Sequence, residues 1–111
     1  MMQQNEKSLN AAISFAAAGV NEIIAAPTAG RIVIDHINLL SNGDTTLTLR
    51  KGSTDFSGGY LVGTGQGLAF DNTIGDRDGL LDCGLLTAFN INNSNAIQIS
   101  GFVKYRILDA H

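Results

Sequence analysis

The chain has 111 residues, 44% of them hydrophobic and only 15% charged, with a formal net charge of −3 and a pI near 5.0. That length suits one domain able to close a core without staples, and the acidic balance, with Lys7, Arg31, Arg50, Lys51, Arg77, Lys104 and Arg106 scattered, excludes the basic footprint of a nucleic-acid binder. The single cysteine, Cys83, excludes an intrachain disulfide and suits synthesis in a reducing compartment, and no apolar run approaches the ~18–20 residues of a membrane span.

Met1, Met2, Gln3, Gln4, Asn5, Glu6, Lys7 and Ser8 are polar overall and carry no periodicity, which predicts a flexible N-terminal arm over residues 1–8 and a folded domain over 9–111. Residues 9–20 follow Lys7 and end near Ala16-Ala17-Ala18, in the manner of a secretory leader. Asn10 and Ser14 interrupt that run, however, and Ile13 and Phe15 alternate as in a strand. A second short apolar run covers residues 22–26, and Pro27-Thr28-Ala29-Gly30 is turn chemistry.

Residues 31–40 form the strongest early strand. Ile32 and Ile34 share one parity and Ile37 and Leu39 the other, and a bulge near Asp35-His36 would bring both pairs onto one core face. Asn42-Gly43 between two apolar runs predicts a hairpin into residues 45–51. There Leu47 and Leu49 point inward, and Thr46, Thr48 and Arg50 outward. Residues 52–67 are rich in glycine, serine and threonine around a short strand at 60–62.

Another short apolar piece spans 67–70, and residues 71–82 read as a polar loop. Residues 85–91 read as one strand, Asn92-Asn93-Ser94-Asn95 as a turn, and 96–108 as the closing strand. In that last strand Ile97, Ile99, Val103, Tyr105 and Ile107 share a parity, and Gly101 marks a bend or a close approach. No segment has a helical period. About eight strands in two antiparallel sheets predict an all-β, single-domain sandwich, with a jelly roll the first topology.

Residues suited to chemistry are few. His36 stands beside Asp35, but neighbours along a strand face opposite ways, so the two are no ready pair. Cys83 has no neighbouring base and reads as a packed thiol. Gly63-Thr64-Gly65-Gln66-Gly67 resembles a phosphate loop only superficially, since no helix follows it and no lysine stands where one is needed. Asp71, Asp76, Asp78 and Asp82 cluster in one stretch, yet Asp76-x-Asp78-Gly79 lacks the remaining positions of an EF-hand loop. No catalytic, cofactor-binding or metal-binding residue is assigned, and the charged fraction, low against a typical ~25%, points to a surface covered by a partner.

The order of several segments carries a resemblance. Ile23-Ile24-Ala25-Ala26-Pro27-Thr28-Ala29-Gly30-Arg31-Ile32-Val33-Ile34 leads through Leu39-Leu40-Ser41 to Thr45-Thr46-Leu47-Thr48-Leu49-Arg50-Lys51-Gly52. Ala88-Phe89-Asn90-Ile91-Asn92 then precedes Ala96-Ile97-Gln98-Ile99-Ser100-Gly101-Phe102-Val103-Lys104-Tyr105. This arrangement, over residues 22–107, resembles small bacteriophage virion proteins, especially head decoration or cement proteins with a β-sandwich fold.

The resemblance implies a non-enzymatic homotrimer, made in the host cytoplasm and seated on the outer capsid surface. Its partners would be the major capsid protein and itself, with no nucleic acid, membrane or cofactor. Residues 1–8 are then the candidate capsid-contact arm, and Thr46, Thr48 and Phe102, outward by parity, the candidate subunit interface. The alternatives are a tail, neck or fibre component, or a small calcium- or carbohydrate-binding module.

Overall fold

A computed structural model describes residues 8–72 and 79–108. The described residues form ten strands: β1 (Leu9–Phe15), β2 (Gly19–Ile24), β3 (Arg31–Ser41), β4 (Thr45–Lys51), β5 (Thr54–Asp55), β6 (Tyr60–Val62), β7 (Gly67–Asp71), β8 (Leu81–Leu85), β9 (Phe89–Asn93) and β10 (Ile99–Leu108). They make two antiparallel sheets. Sheet A runs β1-β10-β3-β7 with β8 also on β3, and sheet B runs β2-β9-β4-β5 with β6 also on β4.

β7 pairs with His36–Leu40 while β8 pairs along Arg31–Ile34, so together they fill one edge of β3. β5 and β6 fill the outer edge of β4 in the same way. Each sheet therefore has four strand positions, the last one broken in two. The chain stays in sheet B from β4 to β6 and in sheet A from β7 to β8 and otherwise changes sheet at each strand, which with these neighbours is the strand order of a jelly roll.

Alternation explains the core. Ile13, Ile32, Ile34, Ile37, Leu39, Leu47, Leu49, Phe89, Ile91, Ile99 and Val103 pack between the sheets, each nearly inaccessible to solvent. The bulge expected near Asp35-His36 is present. Lys104 lies opposite His36 and Tyr105 opposite Ile34, which leaves Asp35 as the extra residue. That residue restores Ile32 and Ile34 to the face used by Ile37 and Leu39. Ile107 lies opposite Ile32, on the side its parity predicts, but at the end of the strand it is partly exposed.

Three local expectations are corrected. Asn42-Gly43 does not close a hairpin, because β3 already carries β10 on one edge and β7 and β8 on the other. No edge is left for β4, so the turn carries the chain across to sheet B, held by the Asn42 N–H on the Gln98 carbonyl at 3.1 Å.

Residues 85–91 are not one strand either. Leu86 adopts φ 52°, its N–H bonds to the Gly30 carbonyl at 2.9 Å, and the chain passes there from β8 in sheet A to β9 in sheet B. The turn after β9 begins at Ser94, since Asn93 still pairs with Leu47 and Gly19.

Gly101 is the close approach its sequence position suggests. A β-carbon there would sit 2.0 Å from the Asn38 carbonyl oxygen on the neighbouring strand.

Candidate functional site: the outer face of sheet A

The outward residues of sheet A follow from strand register. Ala12 of β1, Phe102 of β10, Asn38 of β3 and Ala69 of β7 form one row across the sheet. Ser14, Ser100, Leu40 and Gly67 form the row beside it. Phe102 is 38% exposed and Leu40 55% exposed, and the two are diagonal neighbours surrounded by small side chains. The result is a face with an apolar centre.

Charged and polar groups border that centre on one side. His36 stacks on Phe102, with ring centroids 5.3 Å apart and planes at 22°, and its Nδ1 lies 3.1 Å from Asp71 Oδ1. Beyond it, Arg106 makes a two-pronged contact to Asp35, and Arg31 reaches Asp82 at 2.8 Å. Paired charges fix the rim side chains in place without leaving a strong net charge on the face.

Thr46 and Thr48 lie elsewhere. Both point outward from sheet B, where they adjoin Asn92, Ser94 and Arg50, with the exposed Leu61 opposite Thr46 and the exposed Val20 opposite Asn92. Gly59 crowds them closely enough that a β-carbon there would fall 2.4 Å from Thr46 Cγ2. The three candidate interface residues therefore sit on opposite sides of the sandwich and form no common patch. In the sequence Leu40 is masked by the continuous apolar run it shares with Leu39, so its composition alone does not mark it as outward. Its exposure follows from standing one residue after Leu39.

The remaining chemical candidates are accounted for locally. His36 is engaged with Asp71, and Asp35 with Arg106 and Asn72, so the adjacent pair does not act together. Asp82 holds Arg31 and accepts the Gly84 N–H at 2.9 Å. Asp71 and Asp82 lie opposite different parts of β3 and do not converge, while Asp76 and Asp78 lie outside the described residues.

Among the described residues no group of three or more acidic, histidine or cysteine side chains is placed to hold a metal ion. Cys83 is buried, and burial, followed by the neighbouring Asp82 carboxylate, pushes its thiol pKa up to about 12 despite an opposing effect of Lys51.

Gly63-Thr64-Gly65-Gln66 forms a tied corner between β6 and β7, not a loose loop. Its Gly63 N–H bonds to Gln66 Oε1 at 2.7 Å, and Gly65 N–H to the Ser41 carbonyl at 2.9 Å. An apolar cavity of about 140 Å³ opens between the sheets at the broken edges, against Phe56, Tyr60, Phe70 and Leu81. No acid–base pair faces it from those residues. Of the candidate arm, only Ser8 falls within the described residues, exposed just ahead of β1; the other seven lie outside them.

Comparison with known protein families, with curated proteins and with solved structures finds no match to this chain.

Proposed function

We propose that this protein is a bacteriophage head decoration, or cement, protein that binds the outer surface of the capsid as a homotrimer and stabilises the mature shell. The observation that carries the reading is the sheet A face centred on Phe102 and Leu40. An apolar centre with a polar rim has the anatomy of a protein-binding patch. The partner is taken from the resemblance of the segment order to phage cement proteins.

In this reading Phe102 and Leu40 pack against sister subunits. The outer face of sheet B, with Thr46, Thr48 and Leu61, and the arm Met1 to Ser8 meet the major capsid protein. Stabilisation then follows from mass action. A ligand that binds only the assembled shell shifts the equilibrium away from disassembly by RT ln(1 + [L]/Kd) per site. A trimer touching several capsid subunits at once multiplies weak contacts only where their spacing matches the expanded lattice.

The test is to add purified protein to expanded capsids that lack it and measure occupancy after sedimentation. Saturable binding in multiples of three, weaker on unexpanded shells, is the expected result, and absence of binding to either shell would overturn the proposal. Phe102→Ser combined with Leu40→Ser should convert the trimer to monomers and lower occupancy.

A further inference from the structure

The two sheets end in edges of very different character. β2, the outer strand of sheet B, carries the charge of Glu22 and a register shift between Glu22 and Ile24. β5 and β6 are only two and three residues long. β7 and β8 are short and bear Asp71 and Asp82. Each of these is a device that blunts an open edge against pairing.

β1 has none of them. Its seven residues, Leu-Asn-Ala-Ala-Ile-Ser-Phe, contain no charge and no proline. Its register with β10 runs without interruption from Leu9 opposite Tyr105 to Phe15 opposite Ile99. Among the described strands it pairs with β10 alone, so alternate N–H and C=O groups along its other edge point away from the sheet.

We infer that this edge pairs antiparallel with the β1 edge of a second copy, about a two-fold axis through Ala12. That register uses all seven residues. Leu9 meets the partner's Phe15 and Ala11 meets the partner's Ile13 on the core side, while Asn10 meets the partner's Ser14 and Ala12 meets its own counterpart on the outer side. Apolar residues face apolar ones, polar faces polar, and no like charges oppose each other. Sheet A of each copy then continues into the next as β3-β10-β1-β1-β10-β3. A contact of this kind joins copies in twos; on a capsid it links neighbouring trimers into a net, a step that rests on the virion reading, whereas the pairing itself does not.

The test is disulfide trapping. Opposed residues in antiparallel strands have Cα atoms about 4.5–5.5 Å apart, within disulfide range. The native Cys83 is 3% exposed and stays silent. Ala12→Cys should form a covalent dimer under mild oxidation at least tenfold faster than Leu61→Cys, a control at an 85% exposed position on sheet B. A mixture of Asn10→Cys and Ser14→Cys chains should cross-link faster than either alone, which reads the register. Rates equal to the Leu61→Cys control would overturn the inference. So would trapping that appears only after residues 1–7 are deleted, which would give the edge to the chain's own N-terminus. Trimer mass and capsid occupancy are read separately, so failure of this contact and failure of the proposed function are distinguishable.

Discussion

Arg106 holds the carboxylate of Asp35, the residue that bulges from β3, through Nε at 2.6 Å and Nη2 at 2.8 Å. Asp35 also accepts the Asn72 side-chain amide at 3.2 Å, and its carbonyl accepts the Asn72 N–H at 2.8 Å. The one extra residue in β3 thus ties together β10, β3 and the segment leaving β7. Both partners are largely buried, the side chains 14% and 21% exposed. Asp35→Ala leaves the guanidinium without this carboxylate and should lower stability by about 2–3 kcal/mol, measured by urea unfolding. A loss under 0.5 kcal/mol would mean the pair is a passive surface contact.

Gly101 permits β10 to lie against the Asn38 carbonyl with no side chain between them. Gly101→Ala must push the two central strands of sheet A apart. We expect a loss of about 1–3 kcal/mol, seen as a lower urea midpoint. An unchanged midpoint would show that the strand pair yields at no cost.

Leu86 is the one described non-glycine residue with positive φ, and it is half exposed. A branched side chain in that region costs roughly 1–2 kcal/mol that glycine does not incur. Leu86→Gly should therefore raise stability by up to about 1 kcal/mol, unusual for removal of a large apolar side chain. Thermal unfolding of the two proteins side by side decides it, and a lower midpoint for the glycine variant refutes the strain argument.

The raised thiol pKa of Cys83 sets a pH dependence. In the unfolded chain the thiol ionises near its ordinary value of 9.0, while in the folded protein it stays protonated to about pH 12. Between these values the native state holds more protons than the unfolded one. Its contribution is complete below pH 9 and is lost as pH rises toward 12, by at most about 1.4 kcal/mol per pH unit. Cys83→Ala should be less stable at pH 7.5 because of the lost packing, but should lose less further stability by pH 10 than the wild-type protein does. Equal losses in both proteins would remove Cys83 from the alkaline transition.

Shortening the N-terminus separates binding from folding. Under the proposed capsid role, deletion of residues 1–8 should reduce capsid occupancy while leaving the urea midpoint and the mass of the assembled protein in place. Unchanged occupancy would take the arm out of the binding mechanism.

The sequence by itself determined the all-β class, the position of most strands and the inward faces. It also pointed to a bulge near Asp35-His36, because Ile32 and Ile34 have the opposite parity to Ile37 and Leu39. These are local properties: alternation records which side of a strand is buried.

Alternation does not record which strand lies alongside. Asn42-Gly43 has the composition of a hairpin turn and yet crosses between sheets, because both edges of β3 were taken by strands from later in the chain. The partners of Asp35 and His36, 71 and 35 residues away, were equally invisible. So was the separation of Phe102 from Thr46 and Thr48: parity marks a residue as outward, but only the assignment of strands to sheets decides which of the two outer faces it occupies.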